Sequence, residues 1–265
     1  MRIAIETTVF DSYALEDALK EISRIGYKYV EVCSQHFLEY DEPEGAQKFK
    51  RLLKDSNLEL ASILVTWIPL ASIDEEERKK RVREMEETIH FAASAGCKFI
   101  TCAGAMVGSF ENRKQCAIAF KRSIKELTKA LEENGIWISF ECHPGDFVQR
   151  SEEAIDLLRG VSHVGYLFCC PHSFIFDSDP VKTLEYAKGI LKHVHIADTH
   201  KPKKEEDHQH LIPGLGEIDF ERIFGKLKKI GYTGFVSATP FSHRDKPLEA
   251  ASETKKKIEE FLKLY

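Results

Sequence analysis

The chain has no excess of positive charge. Lys and Arg number 38 against 43 Asp and Glu, a net charge of −5, so its composition lacks the basic footprint of a nucleic-acid-binding face. It also lacks any long apolar run. No stretch approaches the ~18 residues of a membrane helix. The N-terminal MRIAIETTVFDS, interrupted by Glu6, reads as a first strand and not as a secretory leader. Neither nucleic acid nor membrane is an expected partner. The seven cysteines form no CxxC pair and are odd in number; reduced thiols in a cytoplasmic protein are the simplest expectation. No GxGxxG follows the first apolar run, and no linker or low-complexity tract breaks the chain. The first absence argues against an open dinucleotide-binding sheet; the second leaves one uninterrupted run of units.

What is present is alternation. Short β-like runs fall at residues 2–7, 29–33, 59–66, 99–103, 137–141, 164–169, 193–197 and 234–238. Amphipathic helical patterns follow at 14–25, 45–54, 75–95, 113–134, 152–159, 179–188, 220–230 and 248–264, with apolar spacing near 3.6 as in Ile124, Leu127 and Leu131. Gly26, Gly96, Gly135 and Gly231 stand just past helices, where a left-handed cap suits glycine. Ser151 and Asp219 offer N-caps. Eight such units in 265 residues predict an α/β fold, a single (β/α)8 TIM barrel spanning 1–265 as one domain.

In such barrels chemistry sits at the C-terminal ends of the strands. That rule selects Glu6, Glu31 with Cys33, Thr66 with Trp67, Cys102, Glu141 with His143, Cys169 with Cys170 and His172, His195 with Asp198, and Thr239. In WISFECHPGD and HVHIADT, alternate positions bring Glu141 and His195 onto inward faces. An inward carboxylate requires a cation or partner, so the pair indicates a metal or proton-transfer site; a structural ion pair is the competing reading. His172, in the CCPHS turn, is suited to orienting a substrate oxygen. His143 is either a second such group or simply part of a turn capped by Asp146. Trp67 is an apolar wall for a polyol or packs under a loop, and Glu6 lines the site or pairs with charges in the barrel floor. His200, His208 and His210 fall in a charged loop and read as solvated, with His210 set apart by the adjacent apolar LIPG.

FECHPGD, PHS, HVHIADT and IPGLGEIDFERIFGKLKKIGYTGFV together resemble the xylose isomerase-like barrels, which include sugar isomerases and epimerases, inosose dehydratase and, more distantly, endonuclease IV. The resemblance implies one divalent metal held by Glu, Asp, His and Glu from strands five to eight. Glu141 and His195 match the first and third of these, and His172 matches the family histidine beyond the Asp. The other two positions depart, carrying Cys169 and Thr239. With Glu141, His195 and Cys169 as ligands the donor set favours Zn over Mn; either the ion is zinc-like or none is bound.

The resemblance therefore implies a sugar or polyol isomerase or epimerase that moves a proton next to a carbonyl. Glu141 is its base and His172 its acid; Glu6, Trp67 and His143 are the expected substrate contacts from their strand-end positions and not from the resemblance. Two-base epimerisation is disfavoured because the Thr239 hydroxyl takes no proton at neutral pH. The alternatives are a dehydratase of the inosose type and a catalytically degenerate sugar-binding barrel. A nuclease like endonuclease IV needs a three-metal cluster with many His, Asp and Glu ligands and a basic DNA face, and the sequence shows neither. The expected partner is a small sugar or polyol, with self-association left open.

Overall fold

A computed structural model describes residues 1–37, 44–204 and 207–264. Eight parallel strands close a barrel in sequence order: β1 (Arg2–Glu6), β2 (Tyr29–Cys33), β3 (Glu59–Thr66), β4 (Phe99–Ala103), β5 (Trp137–Phe140), β6 (Val164–Cys169), β7 (Leu191–Ile196) and β8 (Phe235–Ala238). The ring closes through β1 and β8, with Arg2 opposite Phe235 and Ile5 opposite Ala238. All eight expected strands are present, with ends shifted by two residues at most.

The strands owe their place to period-two patterning. In β7, Val194 and Ile196 are fully buried in the main hydrophobic core, while His193 hydrogen-bonds to Ser237 on the neighbouring β8 and His195 to Glu31 on β2, across the barrel interior. Burying polar residues inside the barrel costs free energy unless each finds a partner. Thr101 meets that requirement by donating to Glu31, and Ser139 by donating to the carbonyl of Ile100. One end of the sheet is apolar instead. Ala4, Ala61 and Phe235 cluster with Tyr29 and Phe99, and the Arg2 guanidinium lies 3.7 Å from the centre of the Phe235 ring.

The helices follow the amphipathic pattern, among them Leu15–Ile25, Gly45–Asp55, Glu75–Ala95, Arg113–Asn134, Ser151–Leu158, Pro180–Tyr186, Phe220–Lys229 and Pro247–Lys263. Gly26, Gly96 and Gly135 cap three of them at φ of 90°, 80° and 64°. Asp219 caps its helix by accepting from the Arg222 N–H. Ser151 does not cap. It is the first helical residue, and its hydroxyl donates to Asp177, a half-buried tie that also gathers Ser173 and Thr183. No described helix is long and apolar enough to cross a membrane.

Candidate active site

The C-terminal strand ends converge as the barrel rule requires. Glu6 ends β1, Cys169 ends β6 opposite His195 of β7, and Glu141 and Thr239 stand one residue past β5 and β8. All five are buried. Glu141, Cys169 and His195 bring one ligand atom each to within 4.8 Å of one another, a group able to hold a metal ion. Glu141 Oε2 lies 3.6 Å from His195 Nδ1 and 3.7 Å from His172 Nδ1 and accepts no hydrogen bond. A buried carboxylate oxygen without a donor is costly, and a cation at that place would remove the cost.

His195 is oriented from behind. Its Nε2 lies 3.2 Å from Glu31 Oε2, on a strand 164 residues away in sequence. Glu31 is an acceptor when ionised, so Nε2–H donates and Nδ1 is turned toward Glu141 and Cys169. His193 Nε2 stands 3.2 Å from the same oxygen and 2.7 Å from Ser237 Oγ. Burial would raise the Glu31 carboxyl, but His193 and His195 outweigh it and hold it well below the usual range. Burial likewise opposes the charged form of His195, yet Glu31, Glu141 and Glu6 together raise it to about 9. Burial, helped by the Glu31 and Glu141 carboxylates, lifts Glu6 to about 7 against the opposing pull of His195 and the hydrogen bond it accepts from Thr8. The Cys169 thiol is pushed well up by burial and then by Glu141; ligation to a cation is what would draw a thiol down.

Several sequence readings change here. His172 is not in a turn: it lies in the helix Cys170–Phe176, 4% exposed, with neither ring nitrogen hydrogen-bonded. His143 does sit in a turn tied by Asp146, which accepts from its N–H, yet its ring also packs edge-on against Trp67, 4.8 Å between centroids. Trp67 is 59% exposed at φ 58° and leans on Gly104, where an added Cβ would come within 2.9 Å of the indole. It therefore lies beside the site and is not packed beneath a loop. His210 is buried, in keeping with its exception beside the apolar LIPG; His208 is half-buried, in contrast to the solvated reading, and His200 is exposed. A cavity of about 370 Å³ lined by Thr66, Trp67, Arg81 and Phe91 includes none of the Glu141, Cys169 and His195 donors.

Sequence reasoning missed the function of Asp198. Fully buried, its carboxylate accepts from the N–H groups of Thr199, Gly214, Gly216 and Ile218 at 2.8–3.0 Å. It thus ties the PGLGEI run to the end of β7. Gly216 must be glycine, because a Cβ there would come within 2.4 Å of Asp198 Oδ1. That combination in HVHIADT and PGLGEI was the available signal.

The fold and strand-end donors define a class that the comparisons identify. The family model described as xylose isomerase-like TIM barrel matches residues 19–264, and the chain belongs to that family. It is 26% identical to the inosose dehydratase of Clostridium perfringens over 277 residues, covering 92% of this chain and 89% of that protein. It is 23% identical to the 2-oxo-tetronate isomerase of Haemophilus influenzae over 246 residues, covering 87% and 89%. Among solved structures, the IolI protein with a bound zinc atom superimposes with a TM-score of 0.87 at 20% identity, covering 100% and 99%.

Proposed function

We propose that the protein is a metal-assisted isomerase or dehydratase acting on a small sugar or polyol, with Glu141 as its single base. The observation that carries this reading is Glu141 Oε2, buried, without a hydrogen-bond donor and facing His195, His172 and Cys169. The inosose dehydratase and 2-oxo-tetronate isomerase relatives support the substrate class.

Glu141, Cys169 and His195 would hold the ion, and a Cys, His and carboxylate set fits zinc better than magnesium or manganese. A divalent cation there supplies positive charge to substrate oxygens that become negative when a C–H bond beside a carbonyl breaks. Glu141 takes that proton; a carboxylate has two oxygens, so one can serve the ion and the other the proton. His172, within reach of Glu141, returns a proton to the neighbouring carbon or oxygen in isomerisation, or to a departing hydroxyl in dehydration, which then leaves as water. Trp67 and His143 present an apolar edge to the substrate's carbon face, and Glu6 accepts or donates at its hydroxyls.

Glu141→Gln tests the reading, because the amide is a poor ligand and no base. Turnover on a panel of keto-sugars and inososes with Zn²⁺, Co²⁺ or Mn²⁺ is expected to fall about 10²–10⁴-fold, with loss of the ion at this site. Unchanged metal content and activity would refute it. Thr239 has no proton-accepting group, and its hydroxyl faces His210 Nδ1 at 3.3 Å, so epimerisation through a second base is not expected of the native protein. Thr239→Glu is expected to strengthen Mn²⁺ binding by adding an oxygen donor, which calorimetric titration with Mn²⁺ reads directly.

A further inference from the structure

The strands that carry Glu6, Glu141 and His195 to one mouth of the barrel begin at the other, where a cavity of about 430 Å³ opens. Its walls include Phe99, Trp137 and Tyr232, and its charged lining residues are Arg2, Lys188 and Lys192. Among the described residues that line it there is no Asp or Glu. Acidic residues outnumber basic ones in the chain as a whole, so this cavity is a local reversal of sign.

Two of the three cations are held by rings instead of by counter-ions. The Arg2 guanidinium lies 3.7 Å from the centre of the Phe235 ring and 5.8 Å from that of Tyr29. The Lys192 ammonium lies 3.8 Å from the centre of the Trp137 ring, on which His163 also stacks at 4.9 Å. Gly165 in β6 makes room for the lysine stem, because a Cβ there would overlap the Lys192 Cγ. Glycine inside a strand weakens it, and such a close approach is a reason to keep it. A ring face attracts a cation and fixes its position but cancels none of its charge. Burial therefore acts on half-buried Lys192 with no carboxylate against it, and holds its pKa below the ordinary value. Packing requires none of this, since an apolar side chain at 192 would cover Trp137 without desolvating a charge. An anion in the cavity would offset that cost.

We propose that this end of the barrel binds a phosphate group, held by Arg2, Lys188 and Lys192. Three cations suit phosphate better than a carboxylate, because a phosphate monoester carries about 1.5–2 negative charges at pH 7 and three acceptor oxygens. The Arg2 fork can take two oxygens at once, and the two ammonium groups act as point charges on the rest. The ligand is either inorganic phosphate or the phosphate end of a small ester. The Glu141 centre stands at the opposite ends of the same strands, so the two sites are filled independently.

Equilibrium dialysis of the metal-free full chain against radiolabelled inorganic phosphate at low ionic strength tests the inference. One phosphate per chain is expected in the wild type, and the same in Glu141→Gln. Lys192→Met keeps the apolar stem over Trp137 and is expected to weaken binding about tenfold or more, as is Arg2→Met. Lys192→Arg keeps the charge and should bind as the wild type does, with circular dichroism spectra alike in all the variants. Competition by glucose 6-phosphate would show that the site takes esters, and its failure that it takes the free anion; either result upholds a phosphate site. No bound phosphate, or unchanged affinity in Lys192→Met or Arg2→Met, would overturn it. Loss of phosphate in Glu141→Gln alone would place the anion at the other mouth and overturn it too, while leaving the reading of Glu141 intact.

Discussion

Asp198→Ala is expected to cost about 3–5 kcal/mol of folding stability, a large effect for a residue that touches no substrate. The carboxylate is fully buried and accepts four backbone N–H groups. Hydrogen bonds to a charged acceptor are each worth about 1.5–3 kcal/mol, but some of the freed donors regain water, so the sum is discounted. Urea denaturation followed by circular dichroism would measure the loss. The same change should release the segment that carries His208 and His210, whose strand-like bridge runs between Asp198 and Leu211. Asp198→Asn is expected to recover little, because its NH2 would face the N–H donors that the carboxylate satisfied. A stability change below about 1 kcal/mol in Asp198→Ala would show that the segment is held by other contacts.

The barrel was legible in the sequence because its signals are local. Glycines at helix ends and alternation within β7 depend on residues a few positions apart. Glu141 and His195 could be placed for the same reason, each standing at the end of a strand whose inward face was already marked. What escaped was contact between distant positions. Glu31 lies in the middle of the apolar run YVEVC, and the rule that a buried carboxylate needs a partner applied to it as it did to Glu141. Its partners, His193 and His195, lie more than 160 residues on and only the closed barrel brings them across. His172 was read as a turn residue because Pro171 signals one; in the structure that proline occupies the first turn of a helix, where its missing N–H costs nothing. His208 was masked by the charge of the loop around it, which describes its chain neighbours and not the rings it meets, whereas the apolar LIPG beside His210 did set that residue apart.

Glu31→Gln is the change that should separate orientation from ligation at His195. Glutamine keeps the shape and one acceptor oxygen but loses the charge, so His195 Nε2–H is held less firmly and Nδ1 becomes a weaker donor. Loss of such an outer partner costs about 10–100-fold in metal affinity, and a chelator competition with Zn²⁺ would read it. A second consequence appears in protein stripped of metal. The folded His195 pKa of about 9 lies above its ordinary 6.5, so the stabilisation it contributes is fully present below pH 6.5 and lost as the pH rises through 9. Glu6, raised from 4.5 to about 7, acts in the same direction at lower pH, because its neutral form is favoured in the fold and that advantage is lost as the pH passes 7. Thermal melts of metal-free wild type should accordingly fall between pH 6.5 and 9. In Glu31→Gln the fall over that window should flatten, since burial is then opposed only by Glu141 and Glu6. Equal slopes in the two proteins, with unchanged Zn²⁺ affinity, would mean that Glu31 fills space and that its charge does not govern His195.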